Sequence, residues 1–179
     1  FLVSAHREEN IDYNENFENL LLSLNQLAST FEIPVIVSTH PRTQKKLEAF
    51  QTISLSDRVQ FLKPFGFFDY NKLQLEALCV ISDSGTITEE SSILRFPAIT
   101  IRNAHERPEG MDETIIVMSG LKPEHVLDSV NLVINQKARS PNFPSPVVDY
   151  ETSEVSKKIV RIVYSYVDYV NRYQWRKFI

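Results

Sequence analysis

The chain has 179 residues, 42% of them hydrophobic and 11% aromatic, enough for one well-filled core. Its net charge of -4 offers no basic field to a nucleic-acid partner. The single cysteine, Cys79, excludes an intrachain disulfide and a cysteine metal cluster, so a reducing, cytoplasmic setting is expected; no apolar run approaches the roughly 20 residues that would cross a bilayer, so membrane insertion is not expected, and no signal peptide is visible.

Residues 1–5 (Phe-Leu-Val-Ser-Ala) already read as a core strand, with no initiator methionine and no lead-in, so the chain is expected to be cut from something longer. His6-Arg7-Glu8-Glu9-Asn10 follows at once, a loop dense in functional groups. Residues 14–31 carry Phe17, Leu20, Leu21, Leu24, Leu27 and Ala28 at spacings of three and four, which predicts a one-sided helix. A second strand over 34–38 ends in Thr39-His40-Pro41-Arg42, and 43–50 suits a short polar helix. A third strand over 58–62 runs into Lys63-Pro64-Phe65. Residues 68–78 are expected to be helical, with Asp69 as the N-cap.

The apolar run 78–81 then reads as a fourth, buried strand that stops at Ser82-Asp83-Ser84-Gly85, with a helix from Thr86 onwards. Residues 97–102 and 115–118 supply a fifth and a sixth strand. A helix over 122–135 begins with Pro123 in its first turn and turns Val126, Leu127, Val130, Val133 and Ile134 to one side. Strand and helix alternate without a break, which predicts a doubly wound parallel α/β sheet of Rossmann-like type. The expected organisation is a ligand-binding domain over 1–140, a proline-rich connector over 141–150 and a terminal helical segment over 151–179. Its helix, 155–175, has Val155, Ile159, Ile162, Val163, Tyr166, Val170 and Tyr173 along one side and basic residues elsewhere. Such a helix can lie on a membrane surface. Docking on a neighbouring domain fits the proline connector better.

The stretch from Val80 to Ile93 carries the chemistry. A strand, a turn of small residues and a helix offer backbone N–H groups and a helix dipole to a phosphate. Glu89 and Glu90, one turn in, would repel a phosphate placed on them but suit the neutral hydroxyls of a ribose. The plainer alternative is an acidic first turn that serves only the dipole. His6-Arg7, His40-Pro41-Arg42, Pro64-Phe65, Ser82 to Thr86 and Arg102 to Arg107 all follow the C-terminal ends of strands, which face one crevice in a doubly wound sheet. If the strand order is 3-2-1-4-5-6, His6 and Ser84 flank the switch point. His40 before a proline could instead simply cap a strand, and Arg102, Glu106 and Arg107 could be a surface ion-pair group. For His6, phosphate binding or proton transfer is the reading its charged loop favours.

Four segments together resemble the non-hydrolysing UDP-N-acetylglucosamine 2-epimerases: Ser4-Ala5-His6-Arg7-Glu8-Glu9-Asn10, Ser38-Thr39-His40-Pro41, Ser82-Asp83-Ser84-Gly85-Thr86-Ile87-Thr88-Glu89-Glu90, and Ile101-Arg102 through Glu106-Arg107-Pro108-Glu109. The resemblance runs from Phe1 to about Asn135. It implies the C-terminal half of a two-domain, glycosyltransferase-B-like protein, whose final helix returns to the N-terminal half, here the missing partner. It implies UDP contacts from His6, Arg7, His40, Tyr70, Ser84, Gly85, Thr86, Glu90, Arg102 and Arg107. Ser84 and Gly85 would meet phosphate, Glu90 the ribose and Tyr70 the nucleotide, with His6 the catalytic candidate within this chain. The implied chemistry is removal of the C2 proton of a UDP-sugar, anti-elimination of UDP and re-addition, with no cofactor and no metal, in an enzyme that is a homodimer when intact.

Two departures bear on substrate. Gly85-Thr86-Ile87-Thr88 stands where the commonest members have Gly-Gly-Ile-Gln, and Asn103-Ala104-His105 resembles the branch that makes UDP-N-acetyl-L-fucosamine for capsule and O-antigen. A module that holds a UDP-sugar without catalysis, or a glycosyltransferase of the same architecture, are the alternatives.

Overall fold

The computed structural model describes residues 1–50, 52–105, 107–142 and 144–177. Six short strands, β1 (Leu2–Ser4), β2 (Val35–Ser38), β3 (Val59–Leu62), β4 (Val80–Ser82), β5 (Ala98–Thr100) and β6 (Val117–Met118), form one sheet in the order β3-β2-β1-β4-β5-β6. Every pairing is parallel, with Leu2 opposite both Ile36 and Val80, and Ser4 opposite Ser82. This is the order in which the first and fourth strands are neighbours, and the expected doubly wound architecture is what the chain adopts.

The central strands read as apolar runs because both their faces are covered. β4 and β5 are buried at every position. On one side, Val3, Val37, Ile81 and Ile99 join a core with Phe17, Leu20, Leu24 and Leu27 of α2 (Asn14–Phe31) and with Val126 and Val130 of α7 (Pro123–Arg139). These are the residues the three-and-four spacing assigned inward. Sequential crossovers of this kind are filled by α1 (Glu8–Ile11), α3 (Pro41–Ala49), α4 (Phe67–Glu76), α5 (Ile87–Leu94) and α6 (Pro108–Asp112).

Local chemistry shifts several boundaries. The expected loop after β1 contains α1, a single turn whose Asn10 and Ile11 are buried. α4 starts at Phe67 after Gly66 in extended geometry, so Asp69 is a first-turn acid facing the dipole and not the N-cap expected of it. The Pro108 turn, α6, has too few apolar residues for periodicity to reveal it.

The chain divides into two compact units, Phe1–Val147 and Val148–Ile179. In the second, a short turn (Val148–Glu151) precedes α8 (Val155–Tyr169), and a wider turn, Val170–Gln174, replaces the last part of the single helix expected over 155–175. Tyr169 stacks its ring 4.9 Å from that of Tyr173. No residue of α8 is buried.

Candidate functional site

The strand order brings the ends of β1 and β4 together, and Asp83, directly after β4, ties them. Its side chain is fully buried. Its Oδ2 accepts from the backbone N–H groups of His6 and Arg7, both at 2.9 Å, and from Asn10 Nδ2 at 3.1 Å. In return, Arg7 Nε donates to the Asp83 carbonyl at 3.0 Å. His6 Nδ1 lies 3.2 Å from Asp83 Oδ1. A proton held there leaves Nε2 as the nitrogen available to a ligand. The His6 side chain is 44% exposed over its buried anchor.

His40 sits at the end of β2 with its ring centroid 6.2 Å from that of His6. Its Nδ1 accepts from the Arg42 N–H at 3.2 Å, so it caps α3, with Pro41 at the first helical position. Arg42 spans to Glu8 and Asp12, and Thr43 Oγ1 donates to the Ala5 carbonyl at 2.9 Å, fastening α3 to the end of β1.

The turn after β4 is built differently. Ser84 N–H donates to Ser82 Oγ at 3.1 Å, and Ser84 Oγ lies 3.0 Å from Thr86 Oγ1. Gly85 has no left-handed backbone; among the described glycines only Gly120 does. What Gly85 contributes is therefore the absence of a side chain, which leaves room for a group to approach the backbone. Thr86 is the N-cap of α5 and no side chain caps the helix, whose Thr88 N–H donates to the Gly85 carbonyl at 3.4 Å.

Tyr70 on α4 and Glu90 on α5 lie close to each other, with Ser4 and Asp83 nearby. Burial pushes the Tyr70 phenol above the ordinary tyrosine range, the Glu90 and Asp83 carboxylates push the same way, and a hydrogen bond with the Ser4 side chain opposes them. Glu90 Oε2 accepts from Gln74 Nε2 at 2.5 Å. The adjacent Glu89 is committed elsewhere: its Oε1 accepts from Arg107 Nε at 2.6 Å. Arg107 thus meets Glu89 and caps α6 by position, while Arg102, at the end of β5, is buried. Glu106 lies outside the described residues. Among those described, no three His, Cys, Asp or Glu side chains group as metal ligands, and no helix is long and apolar enough to cross a membrane.

The rim therefore unites His6, Arg7, His40 and the turn from Ser84 to Thr86, with Tyr70 and Glu90 close to each other and Arg107 held by Glu89. Sequence reasoning assigned no role to Asp83, Asn10 or Gln74. Asp83 stood in the motif, but its partners lie 73 to 77 residues away in the chain. Gln74 gave only the signal of a polar residue one turn after Tyr70.

Residues 1–164 match the family model described as UDP-N-acetylglucosamine 2-epimerase. The UDP-N-acetylglucosamine 2-epimerase of Methanococcus maripaludis is 32% identical over 163 residues, covering 89% of this chain and 44% of that protein. Its Methanocaldococcus jannaschii counterpart is 30% identical over 166 residues, covering 91% of this chain and 44% of that one. Among solved structures, a UDP-N-acetylglucosamine 2-epimerase from Rickettsia bellii is 47% identical with a TM-score of 0.84, covering 99% of this chain and 47% of its own. The M. jannaschii enzyme in complex with UDP-GlcNAc and UDP is 28% identical with a TM-score of 0.80, over 92% of this chain and 45% of its own. The chain spans less than half the length of the relatives it matches.

Proposed function

This chain belongs to the UDP-N-acetylglucosamine 2-epimerase family, and on that premise we propose that it is the UDP-sugar-binding half of an isomerase that inverts C2 of a UDP-2-acetamido sugar. The observation that carries the reading is the Asp83 tie, which holds His6 beside the uncapped amino end of α5. Phosphate at that end gains the amides and the dipole, with Ser84 and Gly85 nearest. His6 and Arg107 add positive or hydrogen-bonding partners, and Tyr70 and Glu90 hold the nucleoside, Glu90 accepting from ribose hydroxyls. The relative in complex with UDP-GlcNAc and UDP supports the same ligand class.

In this reading the sugar loses its C2 proton, UDP leaves by anti-elimination across C1 and C2, and re-addition of UDP with protonation from the other face gives the epimer. Residues 1–140 bind UDP, 141–150 connect, and the helix of 151–179 docks on an N-terminal half that carries the acid and base carboxylates. The intact enzyme is a cytoplasmic homodimer serving cell-surface polysaccharide synthesis. The 179 residues alone bind UDP weakly and do not epimerise. Deuterium appearing at C2 of a UDP-sugar incubated with them in heavy water would place a base here, His6 first.

The direct test is calorimetric titration of UDP into the intact protein and its Glu90→Gln variant. The variant should lose about 1–3 kcal/mol of binding energy, as expected when a charged hydrogen-bond acceptor is neutralised. Equal affinities would return Glu90 to service of the helix dipole. Thr86, Thr88 and Ala104-His105 favour the N-acetyl-L-fucosamine branch for the substrate. Turnover of the 6-deoxy-talose nucleotide supports that branch, and efficient turnover of UDP-N-acetylglucosamine alone refutes it.

A further inference from the structure

Gln74 has no solvent exposure at all, and among the described residues its side chain makes one hydrogen bond, which its amide nitrogen donates to Glu90 Oε2. Its Oε1 is buried and, among the described residues, has no partner. For stability alone this is a poor residue: a leucine of similar size would fill the space without an orphaned acceptor. The amide also has one workable orientation, since its oxygen turned toward Glu90 would face a carboxylate with a second acceptor. Gln74 lies one helical turn after Tyr70, so the same face of α4 brings both side chains to Glu90. The two glutamates that open α5 are thereby treated in opposite ways. Glu89 is matched with a cation, Arg107, whereas Glu90 is held by a neutral donor. A neutral donor fixes the direction of a carboxylate without neutralising it, and it occupies one oxygen only. No described residue hydrogen-bonds Glu90 Oε1.

We infer that Gln74 is the positioning residue for Glu90: it claims Oε2, fixes the plane of the carboxylate, and leaves the charged Oε1 for the hydroxyls of a bound nucleoside. This rests on the ribose role proposed for Glu90. It makes a buried residue of α4, which touches no ligand, a determinant of how strongly the site distinguishes a ribose from a sugar without hydroxyls.

The experiment compares the affinities of UDP and 2′,3′-dideoxy-UDP, by calorimetry on the intact protein, and reads their ratio. A misfolded variant loses both ligands, whereas a misdirected Glu90 loses only the preference. Gln74→Leu should lower the ratio about tenfold while dideoxy-UDP affinity stays within about twofold, in keeping with one lost charged hydrogen bond. Gln74→Glu supplies the second variant. At about pH 8 its two carboxylates repel and the ratio falls. Toward about pH 6 they share a proton, the introduced carboxyl becomes a donor, and the ratio recovers, which a purely structural role would not produce. A Glu90→Gln control that collapses the ratio, beside a Gln74→Leu variant that keeps it, overturns the inference and spares the ribose reading. A Glu90→Gln control with an unchanged ratio overturns the ribose reading and the inference with it. Equal loss of both ligands in Gln74→Leu also overturns it, since Gln74 would then only pack.

Discussion

Two loops meet at the same rim and are finished in opposite ways. After β1, the amides of His6 and Arg7 are taken up by the Asp83 carboxylate, and Asn10 and the Arg7 guanidinium close the arrangement. After β4, the amino end of α5 has no side-chain cap, and the polar atoms of Ser84 and Thr86 turn to each other. The first loop is saturated from within, so it is a structural joint that carries His6. The second has no side-chain cap on its helix, whose amino end favours an anion. A binding site made from both gains rigidity from one and vacancy from the other.

The sharpest way to break the contrast is Asp83→Ala. It strands several buried donors at once, so unfolding free energy should fall by about 3–4 kcal/mol in denaturant titration. A loss below about 1 kcal/mol would mean the joint is not saturated in any energetic sense.

A second prediction probes the strand under the open turn. Cys79 stands just before β4, fully buried, and desolvation pushes its thiol up to about 12 from 9.0. The unfolded chain releases this proton near pH 9 while the folded chain retains it, so the stability is whole below about 9 and is lost as pH rises toward about 12. At one unit above 9 the loss should be about 1.4 kcal/mol. Tyr70, also pushed up, acts in the same direction above its ordinary value of 10.0. Cys79→Ala should flatten the alkaline limb of a stability-versus-pH curve, and an unaltered limb would locate the titration elsewhere.

The smallest effect is the most specific. Because Thr86 makes no cap bond to α5, Thr86→Ala should cost only a few tenths of a kcal/mol, against about 1 for the loss of a working cap. A melting curve showing the larger cost would mean that this turn, too, is closed from within.

Much of this was legible beforehand, and the reasons differ by element. The helices α2 and α7 announce themselves because their buried faces repeat at three and four residues, and the central strands because both faces are apolar. Alternation of the two then dictates the parallel sheet and puts the polar clusters at one rim. What escaped was whatever depends on a distant partner. Asp83 looks like any turn aspartate until His6 and Arg7 are brought to it. Gln74 looks like a solvent-facing position until Glu90 arrives from the next helix. Asp69 misled because Gly66, with no capping side chain, starts α4 instead.

The position of β1 at the middle of the sheet has a consequence in time. Its neighbours on either side are β2 and β4, and the Asp83 joint that locks its exit spans 77 residues. Local helices such as α2 can form early, but the central strand has only one paired edge until β4 has been made and folded back. Closing so long a loop ahead of its reward is slow, and folding of the sheet should therefore be limited by the arrival of β4. During that interval β1 shows an unpaired apolar edge, Leu2 and Val3, to any other chain in the same state. Aggregation during refolding should accordingly rise with protein concentration and fall once the β1–β4 pairing has formed.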